Sequence, residues 1–318
     1  MTVPSIERPR PTTPIAAALR RLRSLEPNPV LVKELRSRFR GGRAFWTVSG
    51  FVLALTVVVW WIYRVSNVSR FDPPHDFDAA YFGRQLFQSL SWLELIGILI
   101  IAPALTFSAI CGERERETLD LLLATPLSTW AILRGKLGAA MAYVLLLVFS
   151  ALPVLSLVFY FGGISWEDVI LSQLTIVVAG LQLAALGLLV SVVSRQTGRA
   201  AVLAYAGAGM LVLGLWPLIY LASLNWSGAE ILIAVSPIRS MMLVFEGASG
   251  RDLHWLASIL TQVWLAGSFL TVAGWRLTGT LRGRRWTLFL ILLLALFLLL
   301  VGILMFWGAI TSPHNMVP

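Results

Sequence analysis

The chain has 318 residues, 58% of them hydrophobic and only 13% charged, where soluble domains average about 45–50% and about 25%. With a mean hydropathy of +0.80, this excludes an ordinary soluble domain and indicates a membrane protein with several spans. The net charge of +9 reads as the basic excess that sets topology rather than as a nucleic-acid surface, and a single cysteine, Cys111, excludes an internal disulfide.

Residues 1–28 carry Pro4, Pro9, Pro11, Pro14 and several arginines, and are expected to form a disordered, basic tail. Residues 29–43 follow as an amphipathic helix. Asn28 is a suitable N-cap and Pro29 suits the first helical position, where its missing N–H costs nothing. Leu31, Leu35 and Phe39 recur every four residues as an apolar stripe. Lys33, Glu34, Arg36, Arg38, Arg40 and Arg43 surround it, and Gly41-Gly42 stops the helix. Such a helix is expected to lie on the inner membrane surface, apolar stripe in the lipid and bases on the headgroups.

A bilayer core of about 30 Å needs about 20 apolar residues in a helix. Seven runs approach that length, near residues 45–64, 89–111, 137–161, 168–194, 200–224, 254–275 and 286–310. The expected fold is therefore all-α, a polytopic helical bundle of about seven spans. Its six-span body runs over 44–275, and an added span lies within 276–318. If the N-terminus is cytoplasmic and the chain alternates, 20 of the 25 arginines and lysines fall inside and five outside, a strong positive-inside bias.

Between spans two and three lies "CGERERETLDLLLATPLSTWAILRGK", residues 111–136, placed inside by this topology. Glu113–Arg116, Arg114–Glu117 and Arg116–Asp120 fall at i,i+3 or i,i+4 and are expected to pair along a helix. Leu119, Leu122 and Leu123 share one side, and Arg114, Thr118, Leu121 and Thr125 another. Pro126 ends this helix near Thr125, and Ser128 is placed to cap a second, short helix from Thr129 that leads through Lys136 into the third span. A passive connector needs neither this length nor four leucines, so the segment is expected to be a docking element with two usable faces.

Here the chain resembles a known family. "GERERETLDLLLATPLSTWAILRGK" is similar to the cytoplasmic segment between spans two and three in permeases of ATP-binding-cassette transporters of the type-two export class. "NPVLVKELRSRFRGGRAF" resembles the connecting helix ahead of their first span. The resemblance implies two permease subunits, identical or paralogous, above two separate cytoplasmic ATPases that hold ATP and Mg. It also implies that Glu113, Arg114, Arg116, Glu117, Thr118, Leu121, Leu122, Thr125 and Pro126, with the connecting helix, transmit ATPase closure to the spans. Many members have a glycine before the threonine. Glu117 stands there, and it is expected to make the helix more continuous.

This chain binds no nucleotide by any visible motif: Gly135-Lys136 lacks the upstream glycine of a phosphate-cradling loop. No H-E-x-x-H or G-x-S-x-G is present, so no catalytic, metal or cofactor residue is assigned. Acids within spans mark ion pathways. The one candidate, Glu94, is expected one turn into span two, reaching the outer interface. Pro103, Pro153 and Pro217 are candidate kink sites.

Thr175 and Gln182 in span four, and Ser258 and Gln262 in span six, are candidates to line a route, though polar groups in lipid more commonly bond a neighbouring helix. Ala200, Ala204 and Ala208 in span five suit close helix contact or a dimer interface. The outer segment 225–253 is expected to form re-entrant or interfacial helices split at Ser236-Pro237, as a gate or a lid. The reading is the permease subunit of an ATP-driven exporter in the plasma (inner) membrane, in contact with its lipids. An ion-coupled or facilitative transporter and a non-transporting scaffold subunit are the alternatives.

Overall fold

The computed structural model describes residues 28–40, 42–68, 79–119, 127–214, 235–246 and 254–278. Among them every regular element is helical: α1 (Pro29–Phe39), α2 (Gly42–Val68), α3 (Ala79–Ala104), α4 (Cys111–Glu115), α5 (Thr129–Leu155), α6 (Leu157–Phe161), α7 (Trp166–Val193), α8 (Thr197–Gly209), α9 (Pro237–Phe245) and α10 (Leu256–Thr278). Five stretches, Ala44–Val65, Ala79–Ala104, Thr129–Phe161, Trp166–Val193 and Leu256–Thr278, are long and apolar enough to cross a membrane. The apolar helix Thr197–Leu213 is shorter and closes in a π-helical turn over Met210–Gly214. The expected span at 286–310, the tail 1–27, and Leu121, Leu122, Thr125 and Pro126 lie outside the described residues.

The long helices stand where the apolar runs put them, with one correction. Span two begins at Ala79 rather than near 89. Tyr81, Arg84, Gln85 and Gln88 dilute the hydropathy of its first three turns while Phe82, Leu86 and Phe87 bury the other face. At its far end Pro103 cannot continue the helix far. The chain leaves it after Ala104 through turns anchored by Thr106 N–H and Phe107 N–H on the Pro103 carbonyl (3.0 and 2.9 Å).

The bundle is organised around α7, which packs against α3, α5, α8, α9 and α10. It is apolar on all sides, as an interior helix must be, and its small residues Ala179, Gly180, Ala184, Ala185 and Gly187 are all buried, letting neighbours approach closely. Its start is fixed by a reciprocal cap: Asp168 N–H donates to Ser165 Oγ (3.2 Å) and Ser165 N–H to Asp168 Oδ2 (3.1 Å). The turn entering it needs glycine. Gly163 sits at φ +81°, and a Cβ there would lie 2.4 Å from the Ala80 carbonyl oxygen, a conformation and approach open to glycine alone.

The outermost helix is α2. Phe51 and Leu55 are buried, but Trp46, Leu53, Trp60 and Trp61 project from the subunit. The Ala200, Ala204 and Ala208 stripe is buried, with α8 packed on α7 as small residues at four-residue spacing allow.

Candidate functional site: the charged end of the bundle

The connecting helix forms as its sequence dictates. Val30 N–H donates to Asn28 Oδ1 (3.0 Å), and Pro29 occupies the first turn. Its location differs from expectation. The inward face docks on α5 instead of lying wholly in lipid: Val30 is buried, and Phe39 stacks at 6.0 Å from the Tyr143 ring. Gly135 makes this possible, since a Cβ there would lie 2.9 Å from that of Val30. Asn28 also donates from Nδ2 to the Ala131 carbonyl, so one residue caps α1 and ties it to α5. Leu31, Glu34, Leu35 and Arg38 are half-buried, whereas Lys33 and Arg36 are exposed.

Lys136, on the second turn of α5, is 3% exposed. A lysine so placed needs a partner, and it has two. Its Nζ donates to Glu34 Oε1 of α1 (2.7 Å) and lies 3.6 Å from Glu113 Oε1 of α4. Arg38 completes the joint, donating from Nη2 to the Leu105 carbonyl (2.6 Å) in the turn after α3. Burial lowers the Arg38 guanidinium below arginine's usual range, with Glu34 opposing.

The segment 111–119 corrects two expectations. It is not a helix continuing to Thr125: α4 ends at Glu115, and Glu117 sits at φ +58°. Thr118 N–H donates to the Glu113 carbonyl (3.0 Å) and Glu117 N–H to the Arg114 carbonyl (3.1 Å). This is a Schellman stop, built with glutamate in the left-handed position that glycine usually fills. The bend is therefore kept although the glycine is not. Two of the pairings foreseen along the helix, Glu113–Arg116 and Arg114–Glu117, are likewise replaced. Glu113 turns to Lys136 and accepts from Thr118 Oγ1, and Arg114 donates to the Ser194 (2.6 Å) and Val192 (3.3 Å) carbonyls at the end of α7. Asp120 lies outside the described residues.

Arg114 thereby satisfies carbonyls that a helix C-terminus leaves open. Glu115 does the converse at the start of α8, accepting from Thr197 N–H (2.7 Å) and Thr197 Oγ1. Those two bonds hold the Glu115 carboxyl below its ordinary range. Burial pushes Glu113 up, but the Thr118 hydroxyl and the charges of Lys136 and Lys33 outweigh it and leave it lowered. Ser191 Oγ accepts from Ile110 N–H (2.8 Å) and Cys111 N–H (3.0 Å), fixing the start of α4 on α7. Ser128 caps as expected, accepting from Ala131 N–H (3.2 Å), but it opens one continuous helix, α5, rather than a short one.

Between α1, the turn after α3, α4 and the start of α8 lies a cavity of about 660 Å³, lined by Lys33, Arg38, Arg116 and Lys136 and by Glu34, Glu113 and Glu115, with Thr118 and Thr197. The two segments singled out by sequence, far apart in the chain, thus share one pocket. Lys136, which joins them, and Glu115, Ser191 and Thr197, which tie the second segment to α7 and α8, were not singled out as site residues. The signal for Lys136 was a charge just inside an apolar span, costly unless paired.

The polar groups foreseen along spans four and six gather elsewhere, around α9. Thr175, Gln182, Ser258 and Gln262 are all buried. Gln182 Nε2 donates to the Val235 carbonyl (3.1 Å), Trp255 Nε1 to Thr175 Oγ1 (3.1 Å), and Gln262 Nε2 to Ser240 Oγ, which shares a 2.7 Å bond with Ser258 Oγ. They bond neighbouring segments, the commoner use of such groups. Glu94 is a further correction. It lies past the midpoint of α3 and is fully buried, because the helix starts ten residues earlier than the hydropathy suggested.

Long apolar helices packed on one central helix, with a charged and indented end, are the build of an integral membrane protein. The family model described as ABC-2 family transporter protein matches residues 29–309, and the chain belongs to that family, the permeases of ABC transporters. Over 103 residues it is 34% identical to proteins named probable multidrug ABC transporter permease YbhR, from Escherichia coli K12 and from Escherichia coli O157:H7. That stretch covers 32% of this chain and 26% of each relative, so the chain spans about a quarter of their length.

Proposed function

We propose that this permease subunit works as a dimer, with a second copy or a paralogue, in an exporter driven by separate cytoplasmic ATPases that bind ATP and Mg. In this reading the protein has seven spans, sits in the plasma (inner) membrane, and keeps its N-terminus in the cytoplasm, as the 20-to-5 bias of basic residues supports. The observation that carries the coupling role is the Lys136 junction. A push on the segment 113–126 reaches α5 directly and α1 through Glu34, because one buried ammonium holds all three.

The mechanism is alternating access by rigid movement of the spans. ATP shifts the balance only as far as the ATPase pair contacts the two states differently. Moving α9 outward would expose Thr175, Gln182, Ser258 and Gln262, making α9 the outer gate and those four its lining. A drug-like cargo is the substrate class suggested by the relatives, which are named as probable multidrug ABC transporter permeases.

Gentle purification from native membranes should bring down an ATP-binding-cassette ATPase, and reconstitution with it should give ATP-dependent substrate movement. Arg116→Glu or Leu121→Ser should abolish that movement while folding and ATPase association persist. Undiminished transport by Arg116→Glu, or transport in vesicles with no ATPase present, would overturn the reading.

A further inference from the structure

The buried pair Glu94–Gln173 is left unused by the mechanism above. Gln173 Nε2 of α7 donates to Glu94 Oε2 of α3 at 2.9 Å. Glu94 is fully buried and Gln173 9% exposed. The other oxygen of each residue, Glu94 Oε1 and Gln173 Oε1, is buried with no hydrogen-bond partner among the described residues, as is Ser91 Oγ one turn away on α3.

Two buried acceptors without donors, on residues already bonded to each other, are costly, and an ionised carboxylate without a cation is costlier still. No ion pair of the described residues involves Glu94. The helices packed on α3 carry their charges near their ends, with Arg64 on α2, Arg134 and Lys136 on α5, Glu167 and Asp168 on α7, and Arg199 on α8. One added particle resolves all of this. A proton on Glu94 Oε1 turns an acceptor into a donor, and Gln173 Oε1 is the unpartnered acceptor on the side chain already bonded to Glu94. A neutral carboxylic acid beside a primary amide then forms a closed, two-bond pair in which each group donates once and accepts once.

We propose that Glu94 is a proton-binding site: the bound proton completes an acid–amide latch between α3 and α7, and its loss reduces the latch to the single bond from Gln173. No bond other than O–H forms or breaks, and the proton comes from water. This inference is independent of the ATPase-coupled reading, since it concerns the interior of one subunit.

The test is infrared spectroscopy of the full-length protein in nanodiscs at neutral pH, with ¹³C-labelled glutamate to separate glutamic from aspartic acids. Wild type should show the carbonyl stretch of a protonated glutamic acid, downshifted on labelling and in deuterated water. Glu94→Gln, which keeps an amide–amide pair without a proton, should lack it. Gln173→Leu should move it to higher frequency as its hydrogen bond is lost. If Glu94→Gln fails to fold, the labelled wild-type band and its shift in Gln173→Leu decide. Absence of the band in wild type, or its persistence in Glu94→Gln, overturns the proposal. So does wild-type stability that depends on added sodium or potassium, which would place a cation among the oxygens of Ser91, Glu94 and Gln173.

Discussion

The charged end around Lys136 and the interior cluster around α9 solve one problem in opposite ways. Both must give partners to polar groups on helices in a largely apolar molecule. At the charged end the partners are ions on two short helices, α1 and α4, and on the start of α5, beside a cavity of about 660 Å³. Around α9 they are uncharged hydroxyls, amides and a carbonyl among long helices: Ser240, Ser258, Gln262, Gln182 and Val235. Ion pairs hold strongly where both charges are fixed and fail when one is removed. Neutral bonds in a membrane interior are individually weak and replaceable. In the function proposed above, the charged end transmits force as a unit, and the α9 cluster holds a small helix that is let go.

The largest test of that contrast is Lys136→Met. It leaves Glu34 and Glu113 facing each other without the ammonium that joins them. Removing one partner of a buried pair costs about 3–5 kcal/mol. Because both carboxylates keep partial access to solvent, about 2 kcal/mol is expected here, measured by unfolding in micelles. ATPase association should survive while coupled transport is lost. Equal stability of variant and parent would remove the junction from the account.

Glu117→Gly acts on the bend rather than on the charges. Relieving a left-handed L-residue gains about 1–2 kcal/mol, and the added freedom of glycine in the unfolded chain gives back part of it. A net stabilisation of about 1 kcal/mol is expected, with Thr118 still bonded to Glu113. Destabilisation would mean that the glutamate side chain does something at this corner beyond tolerating it.

On the neutral side, Gln262→Leu removes the donor that bridges Ser240 and Ser258, which remain bonded to each other. About 0.6 kcal/mol is the typical loss for one such bond within a membrane. A loss as large as that of Lys136→Met would erase the distinction between the two regions.

What was legible in the sequence were the features set by local chemistry. Asn28 and Ser128 read as caps and are caps, and Pro29 takes the first turn as read. The apolar runs near 45–64, 137–161, 168–194 and 254–275 became long helices within a few residues at most ends, α5 opening eight residues sooner. What was not legible depended on tertiary partners. Glu117 is a good helix former by propensity, yet it ends α4, because the chain must turn there to bring Leu119 into the core. Span two was placed late because its first turns are polar on the face that is not buried. Lys136 read as a topological charge until Glu34, from a segment 102 residues away, was seen beside it.

The smallest expected effect separates the two regions by pH. Glu115 is exposed, and its carboxyl is held below the ordinary range by the Thr197 amide and hydroxyl. A lowered folded-state value means that the contribution is fully present above the ordinary carboxylate range, about 4.3 for glutamate, and is lost as pH falls through the lowered value. The tie between α4 and the start of α8 should therefore hold at pH 5 and loosen below about pH 4. Intrinsic exchange rates cancel when the protection of the Thr197 amide is compared with that in Glu115→Gln at each pH. The difference should vanish at the acid end. The Ser240 amide, bound into a cluster of uncharged groups and separated from the exposed Glu246 carboxylate at the far end of α9, should keep its protection throughout even as the Arg239–Glu246 pair titrates. A parallel loss at Ser240 would show that acid loosens the whole bundle, and would remove the independence of the two ends on which the contrast rests.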